Sequence, residues 1–171
     1  DHVYKMDYQK MLRFHQDMAA EVTLAAIEVP IDDGKRFGVL AVDERDKVAG
    51  FLEKPQNPPS MPGQPDMALA SMGIYVFDSD VLIKALEEDA AKPHSHHDFG
   101  KDIIPALIGR GRTYAYPFYD ENKKAAKYWR DIGTIDAYYE AQMDLCHVNP
   151  EFNMYDPEWP LRTYMPQAPP A

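Results

Sequence analysis

Apolar and polar positions along this chain of 171 residues predict strands interleaved with helices. After Asp7, a favourable N-cap residue, apolar positions recur at helical spacing and predict an amphipathic helix over residues 8–20. The β-branched, apolar run 22–29 ends at a proline and predicts a buried strand. Apolar arms at 37–42 and 47–52 flank a short polar loop, which is typical of a β-hairpin.

The remaining sequence continues this alternation after one long interruption. Residues 55–68 contain five prolines, a density that excludes a helix or a central strand and predicts a long loop. Further elements are indicated by apolar periodicity and by capping residues. They are a strand at 69–77, a helix from Asp78 to residue 88, a helix at 99–108 bent by Pro105, a strand at 112–118, a short strand and turn at 128–134, and a helix from Thr134 to about residue 147.

This order of elements predicts an α/β domain with a mixed, mostly parallel sheet, flanking helices and one antiparallel β-hairpin insertion. Residues 1–147 hold all the predicted elements, and the family resemblance described below implies that they form the C-terminal half of a catalytic domain. Residues 148–171 are rich in proline and are predicted to form an extended connector without a core of its own. In sheets of this class, ligands bind beyond the carboxyl ends of the strands.

Charge and cysteine content narrow the possible partners. A formal net charge of -10 argues against a nucleic-acid or anionic-membrane surface, because such surfaces are built from clustered Lys and Arg. No apolar run is long enough to span a bilayer. The single cysteine, Cys146, excludes an internal disulfide and a cysteine-based zinc site. A reducing, cytoplasmic setting is the prediction.

The run Glu53-Lys54-Pro55 ends the second arm of the predicted hairpin. A Lys ammonium suits a phosphate, and a Glu carboxylate accepts hydrogen bonds from sugar hydroxyls. Neighbouring strand residues face opposite sides, so both side chains can reach one ligand only where the strand ends, and Pro55 favours such an end. A solvated ion pair that closes a strand is the alternative interpretation.

Carboxylates at two other predicted strand ends, Asp1 and Asp131, could together hold one Mg²⁺ ion. Isolated aspartates at strand ends are common, so spacing alone leaves this open. His94, His96, His97 and Asp98 crowd one predicted loop and suggest a second metal hypothesis. We favour a solvated loop there, followed by Asp98 as a helix cap, because no further ligand cluster supports a closed shell.

Six segments in order, together with motifs in the tail, carry a family resemblance. The chain resembles the bacterial glucose-1-phosphate adenylyltransferases, a branch of the sugar nucleotidyltransferases, over essentially its whole length. The Glu-Lys-Pro run alone is a weak sign that many sugar nucleotidyltransferases share. The segments are Asp1-His2-Val3-Tyr4-Lys5-Met6-Asp7-Tyr8, Phe37-Gly38-Val39, 53–59, Ser71-Met72-Gly73-Ile74-Tyr75-Val76-Phe77, His97-Asp98-Phe99-Gly100-Lys101-Asp102 and Tyr128-Trp129-Arg130-Asp131-Ile132-Gly133-Thr134.

This resemblance implies a partial Rossmann-like, GT-A-like nucleotidyltransferase domain acting on ATP and glucose 1-phosphate in glycogen biosynthesis. It also implies a homotetrameric full-length enzyme. By resemblance, Asp1 and Asp131 bind the catalytic Mg²⁺ ion, and Lys54 holds the sugar phosphate. The expected glucose 1-phosphate site as a whole comprises Gly38, Glu53, Lys54 and Ser71. Taken by themselves, Gly38 could instead mark a strand bulge, and Ser71 could be a small polar core residue.

The glycine-rich nucleotide loop and the left-handed β-helix of the resembled family have no counterpart in these residues. The chain is therefore expected to be a fragment that carries the sugar-phosphate and metal side and makes no ADP-glucose alone. Two alternatives stay open at this point. One is a non-catalytic regulatory or sugar-phosphate-binding fragment, and the other is a related enzyme that uses UTP, dTTP or GTP.

Overall fold

A computed structural model describes residues 2–120, 125–126 and 128–154 of the chain. The described residues form two compact units. The larger unit comprises the described residues between Asp7 and Lys127, and the smaller comprises residues 2–6 together with residues 128–154. No helix among these described residues is long and apolar enough to cross a membrane.

Nine strands and four α-helices are described in these two units. The strands are β1 (His2–Tyr4), β2 (Val22–Pro30), β3 (Gly38–Val42), β4 (Val48–Glu53), β5 (Met67–Phe77), β6 (Thr113–Pro117), β7 (Tyr119–Asp120), β8 (Ala125–Ala126) and β9 (Trp129–Asp131). The helices are α1 (Tyr8–Asp17), α2 (Ser79–Ala90), α3 (Ile104–Ile108) and α4 (Ile135–Asp144), and short helical turns lie at Asp33–Arg36 and Phe99–Ile103.

The larger unit is built on a five-stranded sheet with the strand order β4-β3-β5-β2-β6. Helix α1 lies on one face, where His15 meets Thr23 of β2. Helices α2 and α3 lie on the other face, over a core that includes Leu24, Leu40 and Ile104. Strand β2 lies between β5 and β6 and has helices over both faces, which explains why every residue from Val22 to Ile27 is buried.

The predicted mixed α/β class is confirmed, but the expectation of a mostly parallel sheet is wrong for the described residues. Only β2 and β6 pair in parallel, whereas β2–β5, β3–β5 and β3–β4 are antiparallel. Parallel neighbours need a long crossover, usually through a helix. The segment containing α2 and α3 carries the chain from β5 past β2 to β6, and β6 then runs antiparallel to β5 and parallel to β2. The hairpin and its flanking loops return the chain without a crossover.

Most predicted elements lie where the pattern placed them, with two local differences. Asp78 precedes α2, but its side chain makes no capping bond, and its Oδ1 lies 3.4 Å from His15 Nε2. Pro105 does not bend a long helix, because a π-helical turn at Phe99–Ile103 comes first and the proline lies in the first turn of α3. Proline is well tolerated there, since its missing N–H is not needed.

The smaller unit pairs β1 with β9 in antiparallel register and packs α4 against β9. Thr134 caps α4 as predicted, accepting a hydrogen bond from the Ala137 N–H at 3.2 Å. Asp144 of α4 accepts hydrogen bonds from Tyr128 Oη at 2.8 Å and Arg130 Nε at 3.1 Å. The described part of the predicted connector ends at residue 154, so the boundary between 1–147 and 148–171 stays a prediction.

Two buried threonines on neighbouring strands give a matched test of this core. Thr23 Oγ1 lies 2.8 Å from His15 Nδ1, whereas the Thr113 hydroxyl has no hydrogen-bond partner among the described residues. Thr23→Val should lower the free energy of unfolding by about 1–3 kcal/mol, because it leaves a buried ring nitrogen unpaired. Thr113→Val should be neutral or stabilising. Urea denaturation measures both, and equal destabilisation of the two variants would contradict this assignment.

Candidate functional site

The end of β4 has the geometry that the Glu53-Lys54-Pro55 run predicted. Strand β4 ends at Glu53, and the Lys54 N–H donates to the Phe37 carbonyl at 3.0 Å. Lys54 has a φ of 47°, a left-handed conformation that costs a non-glycine residue about 1–2 kcal/mol. A residue that precedes proline normally prefers extended backbone, which makes this conformation more unusual. Both Glu53 and Lys54 are exposed.

Gly38 and Gly100 leave the room in which the Glu53 carboxylate lies. Gly38 pairs directly with Glu53 in the β3–β4 ladder, without a bulge at that position. A Cβ on Gly38 would lie 2.5 Å from Phe51 Cζ and 3.1 Å from Glu53 Oε2. A Cβ on Gly100 would lie 3.3 Å from Glu53 Oε2 and 3.4 Å from Asp98 Oδ1. Any larger residue at position 38 would therefore displace the Phe51 ring and crowd the Glu53 carboxylate.

Ser71 lies on the facing part of β5, where the strand is irregular. Its register against β2 shifts by two residues after Ser71, and Gly73 inside the irregularity has a φ of 71°. Ser71 Oγ accepts from the Gly73 N–H at 3.3 Å and lies 3.4 Å from Tyr75 Oη. Ser71 is half-buried, and its hydroxyl is held by the Gly73 N–H beside the Tyr75 hydroxyl.

The Tyr75 hydroxyl lies beside Ser71 and within the electrostatic influence of two carboxylates. Burial raises the pKa of Tyr75 and the Ser71 hydrogen bond lowers it, while the charges of Glu53 and Asp98 raise it further. The phenol therefore stays protonated at neutral pH and can donate a hydrogen bond. Its ring lies 6.2 Å from that of Phe99, which places an aromatic surface next to these polar groups.

Asp98 begins the turn that faces Glu53, and its predicted role as a helix cap is confirmed. Its Oδ1 accepts a hydrogen bond from the Lys101 N–H at 2.9 Å. The crowded histidines before it make specific contacts, because His97 Nδ1 lies 2.9 Å from Asp89 Oδ2 and His96 Nδ1 lies 3.5 Å from Asp102 Oδ1. Among the described residues, no group of three or more His, Cys, Asp or Glu side chains is arranged to hold a metal ion.

In the larger unit, therefore, the structure brings together Gly38, Glu53, Lys54 and Ser71 as neighbours on β3, β4 and β5. Two carboxylates converge over Gly100, a tyrosine hydroxyl lies close by, and an exposed ammonium follows on the next residue. Carboxylates accept hydrogen bonds from several hydroxyls, and an ammonium attracts a phosphate. The arrangement suits a polyol that carries one anionic group.

Asp131, the expected metal ligand, lies in the smaller unit as the last residue of β9. It is half-buried and pairs with His2 in the register between β9 and β1. A Cβ on Gly133 would lie 3.6 Å from both of its carboxylate oxygens, so the following turn stays close to them. The other expected ligand, Asp1, lies outside the described residues. Burial and a hydrogen bond to Asp144 raise the pKa of Tyr128, near Asp131 in sequence, to about 12.

Tyr75, Asp98 and Gly100 had no predicted role in ligand binding. Their motifs supported the resemblance, and Asp98 was expected only as a cap. Tyr75 lies in the same short segment as Ser71, and Gly100 lies in the same short segment as Asp98. This proximity is the one signal that the sequence offered. Contact between Gly100 and Glu53 spans 47 residues of sequence and depends on the tertiary fold.

Comparison with known proteins finds several relatives of similar sequence. The chain is 53% identical over 174 residues to the glucose-1-phosphate adenylyltransferase of Dechloromonas aromatica (strain RCB), covering 100% of this chain and 40% of that protein. It is 52% identical over 174 residues to glucose-1-phosphate adenylyltransferase 1 of Vibrio cholerae serotype O1, with 100% and 43% covered. For the enzyme of Thiobacillus denitrificans, the values are 53% over 171 residues, with 100% and 39% covered.

The resemblance drawn from the motifs is thereby confirmed, and the chain spans about two fifths of the length of the curated relatives it matches. A family model described as "Nucleotidyl transferase" matches residues 1–148, which is well over half of the sequence. The chain belongs to the nucleotidyl transferase family.

Proposed function

We propose that the full-length protein containing this chain transfers the adenylyl group of ATP to glucose 1-phosphate, giving ADP-glucose and pyrophosphate. This chain supplies the sugar-phosphate and metal side of that reaction. The observation that carries the proposal is the end of β4, where Glu53 lies against Gly100 beside a second carboxylate and Lys54 follows. Relatives that cover the whole chain at 51–53% identity carry the name of this enzyme.

Each polar side chain of the candidate site in the larger unit has a role in binding the sugar phosphate. Glu53 and Asp98 accept hydrogen bonds from glucose hydroxyls, and the protonated Tyr75 donates one. Lys54 attracts the phosphate and sets its position against the chain's net negative charge. Ser71 keeps the tyrosine hydroxyl in place and can itself bind a hydroxyl of the sugar.

The chemistry needs no protein nucleophile. An oxygen of the sugar phosphate attacks the α-phosphorus of ATP, the new P–O bond forms, and the bond to pyrophosphate breaks. Catalysis then depends on alignment of the two substrates and on compensation of the charge that develops. Lys54 contributes to alignment, because it holds the attacking phosphate.

Mg²⁺ is the cofactor in this proposal, with Asp1 and Asp131 as its protein ligands. Carboxylate oxygens are the hard donors that Mg²⁺ prefers, and the half-buried Asp131 with the close Gly133 turn fits such a role. When bound, the ion would neutralise charge on the phosphates of ATP and on the departing pyrophosphate. The position of Asp131 at the end of β9 would fix the direction of its carboxylate.

Three wider features belong to the same proposal. The pathway is glycogen biosynthesis, and the full-length protein is a homotetramer, as the family resemblance implies. The setting is the cytoplasm, where Cys146, an exposed free thiol among the described residues, would stay reduced.

The direct test is an assay of the purified full-length protein. With Mg²⁺, ATP and glucose 1-phosphate, ADP-glucose and pyrophosphate should form in equal amounts, and removal of Mg²⁺ by a chelator should abolish the reaction. UTP, dTTP and GTP in place of ATP serve as the comparison. A clear preference for one of them would identify a different nucleotidyltransferase, and no product with any nucleotide would favour a non-catalytic role.

Lys54→Ala tests the binding of the phosphate. We expect the apparent KM for glucose 1-phosphate to rise by about tenfold to a hundredfold, as is typical for loss of a hydrogen bond to a charged group, while the KM for ATP changes little. Lys47→Ala, an exposed lysine near the start of β4, is the matched control and should leave both constants unchanged. An effect on the KM for ATP alone would contradict the assignment.

Asp131→Asn tests the metal side. We expect kcat to fall by about a hundredfold or more, because the ion acts where charge develops, with a smaller change in the KM for glucose 1-phosphate. The Mg²⁺ concentration for half-maximal rate should rise, and Asp1→Asn should act in the same way. Asp136→Asn, in the exposed first turn of α4, is the control. Unchanged kcat and Mg²⁺ dependence in Asp131→Asn would rule out a metal ligand there.

A further inference from the structure

Asp89 is a buried carboxylate that the proposed chemistry does not use. It lies in the last turn of α2 and is only 4% exposed. The carboxyl end of a helix carries partial negative charge and disfavours an anion, and α2 has no basic residue in its last turn. Lys92 Nζ, just after the helix, lies 3.9 Å from Asp89 Oδ1. The helix dipole itself does not stabilise Asp89, so its burial needs hydrogen-bond partners from another segment.

Those partners form a closed ring of hydrogen bonds with the loop that follows α2. Ser95 Oγ donates to Asp89 Oδ1 at 2.7 Å and accepts from the His97 N–H at 3.0 Å. His97 Nδ1 closes the ring at 2.9 Å from Asp89 Oδ2. The hydrogen bonds from Ser95 and His97 lower the pKa of Asp89, so the ring is built around an ionised carboxylate at neutral pH.

The ring fixes His97 in an unusual backbone conformation. Its φ is 54°, in the left-handed region that residues other than glycine rarely adopt. The side chain is 59% exposed, so packing into a core does not explain the conformation. Bonds from both the N–H and the ring nitrogen of this residue lead back to Asp89, directly or through Ser95.

The direction of the next residues depends on that conformation. Asp98 follows His97 directly, caps the turn at Phe99–Ile103 and lies beside Gly100. Gly100 in turn lies against the Glu53 carboxylate, as its Cβ position shows. A change in the backbone at residue 97 would therefore move one of the two carboxylates away from the other.

We propose that Asp89 is a positioning residue for the sugar-phosphate site, acting through Ser95 and His97 to hold Asp98 and Gly100 against Glu53. The assignment rests on the proposed function for its substrate, glucose 1-phosphate. Asp89 does not touch that substrate. Its effect is on the geometry of groups that do, and displacements of that kind are costly in binding and rate.

The experiment compares Asp89→Ala and Asp89→Asn in the full-length enzyme. Asp89→Ala should raise the KM for glucose 1-phosphate by about tenfold and change the KM for ATP by less than about twofold. Asp89→Asn should have a smaller effect, because the amide can keep a hydrogen bond to Ser95. A merely structural role would lower the fraction of folded enzyme, and hence kcat, without raising one KM alone.

Two further variants keep the test decisive. Ser95→Ala removes two hydrogen bonds of the ring from a half-buried loop position, and it should also raise the KM for glucose 1-phosphate even if Asp89→Ala does not fold. Glu88→Ala is the matched control, since it removes an ion pair with Arg110 from the same turn of α2 without touching the ring. It should leave both KM values unchanged.

Hydrogen exchange provides a readout that needs no turnover. In Asp89→Ala, amides of residues 95–102 should exchange about tenfold faster than in the parent protein, whereas those of β2 should not change. If the parent protein makes no ADP-glucose, the proposed function fails, and exchange alone then decides the positioning role. Unchanged exchange in the loop, or an equal rise in both KM values, would overturn it.

Discussion

A carboxylate can lie at a strand end beside other backbone only if that backbone leaves room for it. In this chain, Gly38 and Gly100 provide the room from two sides of Glu53. One belongs to the paired strand, and the other belongs to a turn more than forty residues later in the sequence. Phe51 packs against Gly38, and Asp98 approaches Gly100, because neither glycine has a Cβ atom in that space. The site therefore depends on the absence of a side chain at both positions.

Much of this fold could be predicted from the sequence, because its signals are local. The hairpin, the buried run of β2, the end of β4 at Glu53 and the cap at Thr134 each follow from a few neighbouring residues. Strand direction could not be predicted in the same way. It depends on which strands become neighbours, and β5 lies between β2 and β3 although no α-helix separates these three strands along the chain. Alternation of helices and strands does not encode that choice.

The site shows the same division between local and long-range information. Glu53 and Lys54 could be predicted because their chemistry and the following proline are adjacent. Tyr75 could not, because its importance comes from a strand irregularity around Gly73 that brings its hydroxyl to Ser71. Asp89 carried no signal at all, since a lone acid near a helix end is common and its partners lie on the next loop.

Lys54 combines an exposed ammonium with a left-handed backbone, and these two properties favour different residues. Glycine or asparagine adopts that backbone at little cost, but neither carries a positive charge. In a library of substitutions at position 54, the residues that are enriched would therefore depend on the property selected. Selection for thermal stability would enrich glycine and asparagine, whereas selection for the proposed binding of a sugar phosphate would retain lysine. Under the proposed function, stability and activity therefore favour different residues at position 54.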